Sequence, residues 1–342
     1  MNESTHTNVT NVTMDEIGDL TDKIIIILGI NLYILGLIGN VLNICVFTIW
    51  SRSGKRANRN ILINQTNNSP LYLLTSSCAN LIQILCPLLI NIIFDGFQYP
   101  KTTDNVLLIC KLYYYVLHTS DLISLTCVCL ATLDRYVISS REVRLRRLST
   151  KRHTTKKIIL SIICLFALHS IPIIIYYEVS QGGYCRISSR IYLYYYLGVF
   201  QIFFHGIFSI CFLSIFARLI YKQLKMTQQI NYRRNLNSDK QLSRMILLLC
   251  ITILIASIPY SMENIYSAFF IDFTQKLSSY ARVFNYTSII LFFTDEVLSF
   301  YVFFLSTPNF RQEVKNIIRC KNCDHHLENN QVYPTNYRVN IH

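Results

Sequence analysis

Seven long apolar stretches dominate this sequence and leave few folds open to the chain. They cover residues 24–50, 70–94, 106–139, 156–177, 190–222, 240–271 and 280–306. Each reaches the roughly 20 residues that an α-helix needs to cross about 30 Å of hydrocarbon, whereas a membrane β-strand would need about half that length. Of all residues, 52% are apolar and 15% are charged, which is typical of multi-pass membrane proteins. The sequence therefore predicts an all-α membrane protein, a bundle of seven transmembrane helices.

Basic residues predict which ends of the spans face the cytoplasm. They concentrate in the loops after spans one, three and five, and the loop after span three carries Arg141, Arg144, Arg146, Arg147, Lys151, Arg152, Lys156 and Lys157. Because lysine and arginine are enriched on the cytoplasmic side, we expect an extracellular N-terminus and a multi-pass protein of the plasma membrane. The net charge of +13 predicts contact with anionic lipid or a cytoplasmic partner. Nucleic acid is a poor alternative, because the basic residues flank membrane spans.

A short polar segment, residues 1–23, precedes the first span. Asn2, Asn8 and Asn11 each begin an Asn-x-Ser/Thr sequence, the acceptor pattern for N-glycosylation. The acidic flank before the span differs from the basic start of a cleaved signal peptide, so we expect the first span to act as its own insertion signal. The sequence thus predicts a glycosylated extracellular tail over residues 1–23 and a seven-helix bundle over residues 24–306.

Two cysteines are expected on the oxidising, extracellular side. Cys110 lies at the outer end of span three, and Cys185 lies in the loop between spans four and five. A disulfide is allowed there and would hold that loop over the bundle. Cysteines inside the spans are expected to be small apolar packing residues; these are Cys45, Cys78, Cys86, Cys127, Cys129, Cys164, Cys211 and Cys250.

An acid, an arginine and an aromatic residue, Asp134-Arg135-Tyr136, stand at the end of span three, before the most basic loop. Charged side chains are costly near a bilayer, so the pair indicates a functional site in which Asp134 and Arg135 are each other's partners. The alternative is an interfacial pair whose side chains extend to the lipid headgroups. Because Cys110 lies at the opposite end of the same span, we favour a conformational switch over an interfacial pair.

The chain resembles the rhodopsin-like (class A) G-protein-coupled receptors from about Lys23 to Cys320. The matching positions, in chain order, are Gly39-Asn40, residues 76–81, Cys110 with Cys185, Asp134-Arg135-Tyr136, Pro259 and Phe310-Arg311. The resemblance implies a receptor that passes the binding of an extracellular ligand to a cytoplasmic heterotrimeric G protein without covalent chemistry. It also implies that neighbouring acids hold Arg135 at rest. The implied switch residues are Asp134, Arg135, Tyr136, Asp239 and Pro259.

Several positions depart from the family pattern, mainly in the predicted polar core. This core comprises Asn40, Asn80, Ser124, Asp295 and Ser299. Asn80 replaces the aspartate that helps to bind sodium in the family, so we expect weak sodium modulation. Residues 299–303 replace the family's Asn-Pro-x-x-Tyr motif and lack both its proline and its final tyrosine. These departures indicate a diverged branch of the family.

The ligand is predicted from residues in the outer half of the spans. Leu117 stands where amine receptors carry an aspartate, and Phe293 stands where opsins carry a lysine, so amine and retinal ligands are disfavoured. The candidate ligand-binding residues are Leu117, His118, Asp121, Glu178, Tyr260 and Glu263. Acidic groups among many tyrosines suit a cationic or amidated neuropeptide. The alternative is a structural polar network with tyrosines at the membrane interface.

A short amphipathic helix is predicted after span seven, over residues 307–320. Thr307 and Pro308 suit an N-cap and a first helical residue. Phe310, Val314 and Ile317 then recur on one helical face, as expected for a helix on the membrane surface.

Two cysteines follow this helix, Cys320 and Cys323. Their position beside the membrane predicts S-acylation. A zinc site that they would form with His325 and His326 is less favoured, because the ligands lack the long separation found in zinc fingers. The remaining polar tail, residues 321–342, is predicted to be disordered.

Two alternatives to a peptide receptor stay open. One is a small-molecule or lipid receptor of the same fold, and the other is a seven-span membrane enzyme or transporter. His118, His169 and His205 are scattered singly and lack a motif such as His-Glu-x-x-His, so enzyme chemistry is disfavoured. We expect neither a cofactor nor a metal.

Overall fold

The computed structural model describes residues 3–57, 68–97, 103–140, 144–145, 150–179, 185–228, 236–270 and 279–319. Seven helices in these ranges are long and apolar enough to cross a membrane. This finding confirms the predicted all-α, seven-helix fold. We number these helices α1 to α7 in chain order, and a short helix α8 follows them.

Four of the membrane helices are continuous, and three contain interruptions. Helices α1, α3, α6 and α7 cover Glu3–Ala57, Thr103–Ser139, Leu236–Phe270 and Ser279–Ser306. Helix α2 comprises Ser69–Gln83, a π-helical turn Ile84–Leu88, Leu89–Asn91 and a second π-helical turn Ile92–Gly96. Helix α4 comprises Arg152–His169 and Ile171–Tyr176. Helix α5 comprises Arg190–Tyr195, the π-helical Tyr196–Phe208 and Ser209–Gln228, and α8 covers Pro308–Ile318.

Prolines account for two of the interruptions. Pro87 lies inside the first π-helical turn of α2, and Pro172 follows the break in α4 at Ser170. Proline has no backbone N–H and its ring crowds the carbonyl of the preceding turn, so a helix widens or breaks there. Pro259 lies inside α6, which stays helical on both sides of it.

Helix α1 packs closely against α2 and α7 because its glycines leave space. A Cβ atom at Gly39 would lie 2.9 Å from Phe300 Cβ of α7, and one at Gly36 would lie 2.6 Å from Ile84 Cδ1 of α2. Small residues permit this close approach between membrane helices. The approach brings the neighbouring Asn40 against α7.

A short hairpin covers one end of the bundle. Strand β1 (Tyr177–Val179) pairs antiparallel with β2 (Cys185–Ile187). A disulfide bond joins Cys185 to Cys110 near the start of α3, which confirms the predicted pair. We call this the disulfide end of the bundle, and the opposite end, where Arg135 lies, the arginine end.

Helix α8 has the predicted amphipathic character. Phe310 and Val314 are buried against the bundle, whereas Arg311 and Lys315 are exposed. Phe310 contacts the ring of Phe47 at a centroid distance of 5.9 Å, so α8 is anchored to α1. The helix starts at Pro308, one residue after the predicted N-cap Thr307.

Several predicted modification sites cannot be placed. Cys320, Cys323 and Asn2 lie outside the described residues. Asn8 and Asn11 lie in helix α1, but only their backbone is described, not their side chains. Acylation and glycosylation therefore stay predictions.

The cysteines inside the spans differ in exposure, and Cys45 is partly buried. Cys127, Cys129 and Cys250 are buried, as expected for packing residues. By contrast, the exposed thiols lie on the outer surface of the bundle, and these are Cys78, Cys86, Cys164 and Cys211. A thiol is apolar enough to face lipid, so this position is consistent with the expected small apolar character.

Candidate functional site

A serine bridges the acid and the arginine of the triplet at the arginine end. The Ser69 hydroxyl donates a 2.5 Å hydrogen bond to Asp134 Oδ2. It also accepts a 2.8 Å hydrogen bond from Arg135 Nε. Arg135 is 1% exposed and Asp134 is 8% exposed, so the charges are held inside the bundle. Buried charges are tolerated when they are paired and hydrogen-bonded, which is the arrangement found here.

Sequence reasoning missed Ser69. The available signal was a polar start to an apolar span, Asn68-Ser69-Pro70. Asn68 adds a second tie at this end, because its Nδ2 donates a 2.6 Å hydrogen bond to the Thr150 carbonyl. The start of α2 is thus fixed to both α3 and the segment before α4.

The other predicted switch residues lie on α3 and α6. The Tyr136 ring packs against Phe216 of α5 at a centroid distance of 5.6 Å. Pro259 lies inside α6. Asp239 lies in helix α6, but only its backbone is described, not its side chain. Its contact with Arg135 therefore stays a prediction.

Two asparagines of α1 reach across to α7 in the polar core. Asn40 Nδ2 donates to the Gly36 carbonyl at 3.0 Å and to the Glu296 carbonyl at 3.1 Å. Asn43 Nδ2 donates to Ser299 Oγ at 3.3 Å. These bonds satisfy buried polar groups across a helix interface, so they fix the rotation of α1 against α7.

A second part of the polar core joins α2 to α3. Asn80 Oδ1 accepts a 2.5 Å hydrogen bond from Ser124 Oγ. Ser124 is in turn 2.7 Å from Ser76 Oγ. Asn80 therefore contributes an amide and no charge to this network.

A small cavity of about 30 Å³ lies between α2, α3, α6 and α7. Its lining residues are Asn80, Gln83, Asp121, Ser124, Leu125, Ile253, Ala256, Ser257, Phe292, Asp295 and Glu296. The cavity brings Asp121, which we assigned to ligand binding, together with residues that we assigned to the polar core. Along α3, Asp121 lies further from the disulfide than the candidate ligand residues Leu117 and His118.

A second cavity of about 20 Å³ shares Asn80, Ser124 and Asp295 with the first. It also reaches Ser299 and Phe303, and so extends the polar region towards the arginine end. Gln83 and Glu296 line the first cavity, but they were not among the residues predicted for the polar core. Gln83 lies about one helical turn after Asn80, so helical spacing could have identified it.

An aromatic group with one histidine lies under the hairpin at the disulfide end. His118 is 1% exposed, and its Nε2 lies 2.7 Å from the Tyr196 hydroxyl. Gln201 Nε2 donates a hydrogen bond to the same hydroxyl at 3.1 Å. Tyr177 of β1 packs on Tyr114 at a centroid distance of 4.3 Å, and burial raises the pKa of the Tyr177 phenol well above its ordinary value.

Leu117 and Tyr260, two of the candidate ligand residues, lie together beside this group. Both are buried in one apolar cluster that includes Phe292 and Phe293. The rings of Tyr260 and Phe292 are 4.4 Å apart. The structure thus joins α3, α6 and α7 through apolar contacts at this depth.

The two remaining candidate ligand residues differ in exposure. Glu178 is exposed on β1, where it pairs in register with Arg186 of β2. Glu263 is 6% exposed and lies on α6, near Tyr260. The candidate ligand residues therefore differ in position, from Glu178 on the exposed face of the hairpin to Asp121 beside the cavity.

Comparison with known proteins identifies the family. The family model described as 7 transmembrane receptor (rhodopsin family) matches residues 39–298, a range that includes Gly39, the disulfide and the triplet. A comparison with curated proteins finds no match. Rhodopsin-family receptors are generally not enzymes. The matched range covers most of the chain, which therefore belongs to the rhodopsin family of seven-transmembrane receptors.

Proposed function

We propose that the chain is a G-protein-coupled receptor of the plasma membrane that passes the binding of an extracellular neuropeptide to a cytoplasmic heterotrimeric G protein. The observation that carries this proposal is the buried charge pair at the arginine end. Arg135 and Asp134 share the Ser69 hydroxyl between α2 and α3. A charged group held inside a helix bundle by a few hydrogen bonds can be released by a modest shift of one helix, which gives two states for a ligand to select.

The neuropeptide part of the proposal rests on charge and on aromatic groups at the disulfide end. Glu178 is exposed there, and Glu263 lies among buried groups of α6. Tyr113 and Tyr114 of α3 add amphipathic rings, 4.8 Å apart. Carboxylates attract cationic groups over a distance, and tyrosine rings contribute contact area with a polar hydroxyl at the edge. A cationic or amidated peptide combines both complementary features.

The two cavities around Asn80 and Ser124 are too small to enclose a drug-sized ligand at that place. The two described cavities hold about 30 and 20 Å³. Typical small-molecule pockets are roughly 300–1,000 Å³. A ligand that rests on the hairpin and the outer turns of the helices fits these dimensions better than one enclosed at the depth of Asp121.

A ligand screen tests the proposal. Cells that express the chain are exposed to amidated peptides, to lipids and to small amines, and calcium and cyclic AMP are recorded. We expect a response to an amidated, cationic peptide that is absent in untransfected cells. Arg135→Ala at matched surface expression is the control: it should bind labelled peptide but give a much weaker G-protein response. A response to lipids or amines alone would overturn the peptide assignment.

A further inference from the structure

A histidine and a tyrosine form a hydrogen-bonded pair on the outer surface of the bundle, between α4 and α5. His169 Nε2 lies 2.7 Å from the Tyr195 hydroxyl, in an exposed contact. Tyr195 is 41% exposed, and Leu165, one helical turn before His169, is 60% exposed. Since His169 and Tyr195 belong to helices that span the membrane, this surface faces hydrocarbon, where water cannot satisfy polar groups. A polar pair at this place is costly unless a lipid bonds to it.

The hydrogen bonding around the pair is incomplete. Among the described residues, His169 is the only hydrogen-bond partner of the Tyr195 hydroxyl, although a phenol both donates and accepts. Behind the pair, His169 Nδ1, Ser170 Oγ and the Tyr192 hydroxyl are buried without a partner in the same part of the chain. Ser170 is 0% exposed and Tyr192 is 6% exposed. Because buried polar atoms are nearly always bonded, these atoms indicate a polar group from outside the chain.

A hydroxyl group suits the pair better than other polar groups of lipids do. If His169 Nε2 carries the imidazole proton, it donates to the Tyr195 oxygen and leaves the phenol proton free. If Nε2 carries no proton, the phenol donates to it, and the Tyr195 oxygen can then only accept. A hydroxyl both donates and accepts, so it bonds to Tyr195 in either state. A carbonyl matches only the first state, and an ammonium group would carry a charge into the hydrocarbon.

The surface beside the pair suits a rigid apolar body. The His169 ring packs against Phe204 at a centroid distance of 6.3 Å, and Phe204 packs against the exposed ring of Phe203 at 5.2 Å. Gly198 of α5 is also exposed, and a Cβ atom there would meet no atom within 4 Å, which leaves room on this surface. A rigid ring system loses less conformational freedom on such a wall than a flexible acyl chain does.

The depth of the pair limits the kind of lipid. His169 lies about two helical turns, or about 10 Å, before Tyr176, the last residue of α4. The hairpin starts at the next residue, so the pair lies below the headgroups, in the upper part of the hydrocarbon. A phospholipid phosphate would lose its hydration there. A sterol carries one uncharged hydroxyl at the end of an apolar ring system, which matches both the pair and the wall.

We propose that the surface formed by His169, Tyr195, Gly198 and Phe203 binds one membrane sterol. Its hydroxyl bonds to Tyr195, and its rings lie along Gly198 and Phe203 towards the middle of the membrane. The bound sterol thereby contacts α4 and α5 together, next to the break in α4 at Ser170.

The test uses the purified full-length receptor in lipid nanodiscs and needs neither agonist nor G protein. A photoreactive cholesterol analogue that keeps the 3-hydroxyl is cross-linked to the protein, and the labelled residues are identified by mass spectrometry. We expect labels on α4 and α5 around Leu165 and Phe203, and excess cholesterol should compete for them. Cholesterol without its 3-hydroxyl should compete about three- to tenfold less well, the effect of losing one uncharged hydrogen bond.

A variant without the tyrosine hydroxyl tests the polar contact. Tyr195→Phe removes one oxygen atom, and cholesterol and its 3-deoxy analogue should then compete equally well. Tyr194→Phe is the matched control, because Tyr194 is the neighbouring tyrosine and is 64% exposed; it should keep the preference for cholesterol. A Tyr195→Phe protein with the preference of the wild type would contradict the assignment.

The wild-type comparison decides the proposal even if a variant fails to fold. Absence of labels on α4 and α5 would overturn it, as would equal competition by cholesterol and its 3-deoxy analogue. Equally strong competition by added phosphatidylserine would also overturn it and would indicate a phospholipid instead. Because no ligand response is measured, these outcomes leave the proposed receptor function untouched. A failed peptide screen would likewise not bear on the sterol site.

Discussion

Arg135 of α3 and Ser69 of α2 are joined by a 2.8 Å hydrogen bond from the guanidinium Nε to the serine hydroxyl. The same hydroxyl donates to Asp134. One small side chain on a neighbouring helix thus bonds to both members of the charge pair. Any motion that separates α2 from α3 at this end breaks both bonds together.

Ser69→Ala should raise ligand-independent signalling. The change removes a donor to Asp134 and an acceptor for Arg135, and hydrogen bonds to charged groups contribute about 1.5–3 kcal/mol each. If the bridge exists only in the resting state, the loss of even one of these bonds should raise basal activity by at least about tenfold. Thr75→Ala is the control, because that hydroxyl bonds to the Leu71 carbonyl of its own helix. G-protein activation at matched surface expression is the measurement, and equal basal activity in both variants would contradict the prediction.

Asp239→Ala should also increase basal signalling, but by less. The resemblance implies that this acid holds Arg135 from α6, near water, where an ion pair contributes roughly 0–1 kcal/mol. We expect a rise of a few-fold at matched surface expression. Combining Asp239→Ala with Ser69→Ala measures whether the two residues act on the same arginine, because coupled residues give non-additive effects. An Asp239→Ala receptor with wild-type basal activity would exclude this residue from the switch.

Loss of the disulfide should impair the receptor. The bond closes a loop with a sequence separation of 75 residues, for which chain-entropy arguments give about 4–5 kcal/mol. Cys110→Ala and Cys185→Ala should each lower surface expression or abolish the ligand response. The double variant should be no worse than either single variant, because each single change already removes the bond. Flow cytometry and dose–response curves measure both effects, and wild-type behaviour of the two single variants would refute the prediction.

Asp121→Asn should reduce agonist potency by about tenfold if the carboxylate contacts a cationic group of the ligand. Asp295→Asn is the comparison, since Asp295 lines the same cavity from α7. Unchanged agonist potency of Asp121→Asn at normal surface levels would exclude a direct contact between Asp121 and the ligand.

Gly39→Ala should destabilise the bundle. The new methyl group would lie 2.9 Å from Phe300 Cβ, and such overpacking typically costs about 1–3 kcal/mol in the free energy of unfolding. Gly198→Ala is a matched control, because no atom lies within 4 Å of a Cβ at that position. Thermal unfolding of the purified variants should show a lower melting temperature for Gly39→Ala alone. Equal values would show that α1 can move away from α7 at little cost.

Most features that were predictable from the sequence depend on residues that lie close together in the chain. Seven spans follow from local hydropathy, and α8 follows from the spacing of Phe310 and Val314. The disulfide was predictable because Cys110 and Cys185 were the pair assigned to the oxidising side.

The unpredicted features depend on how the helices are rotated against one another. Ser69 meets Arg135 only because α2 and α3 present those faces to each other. Likewise, Asp121 was assigned to the ligand and Asp295 to the core, since nothing in the linear order places them around one cavity. Helical periodicity gives the faces of one helix, but the pairing of faces between helices is a tertiary property.

The hairpin places its charged and its aromatic side chains on opposite faces. Successive residues of a strand point to opposite sides: Tyr177 is buried over α3, whereas Glu178 and its cross-strand partner Arg186 are exposed. In the proposed orientation, a ligand that approaches the hairpin meets charges first and reaches the tyrosines only after the hairpin moves. Salt should therefore change mainly the association rate, and changes at Tyr177 should alter mainly the residence time of the bound ligand.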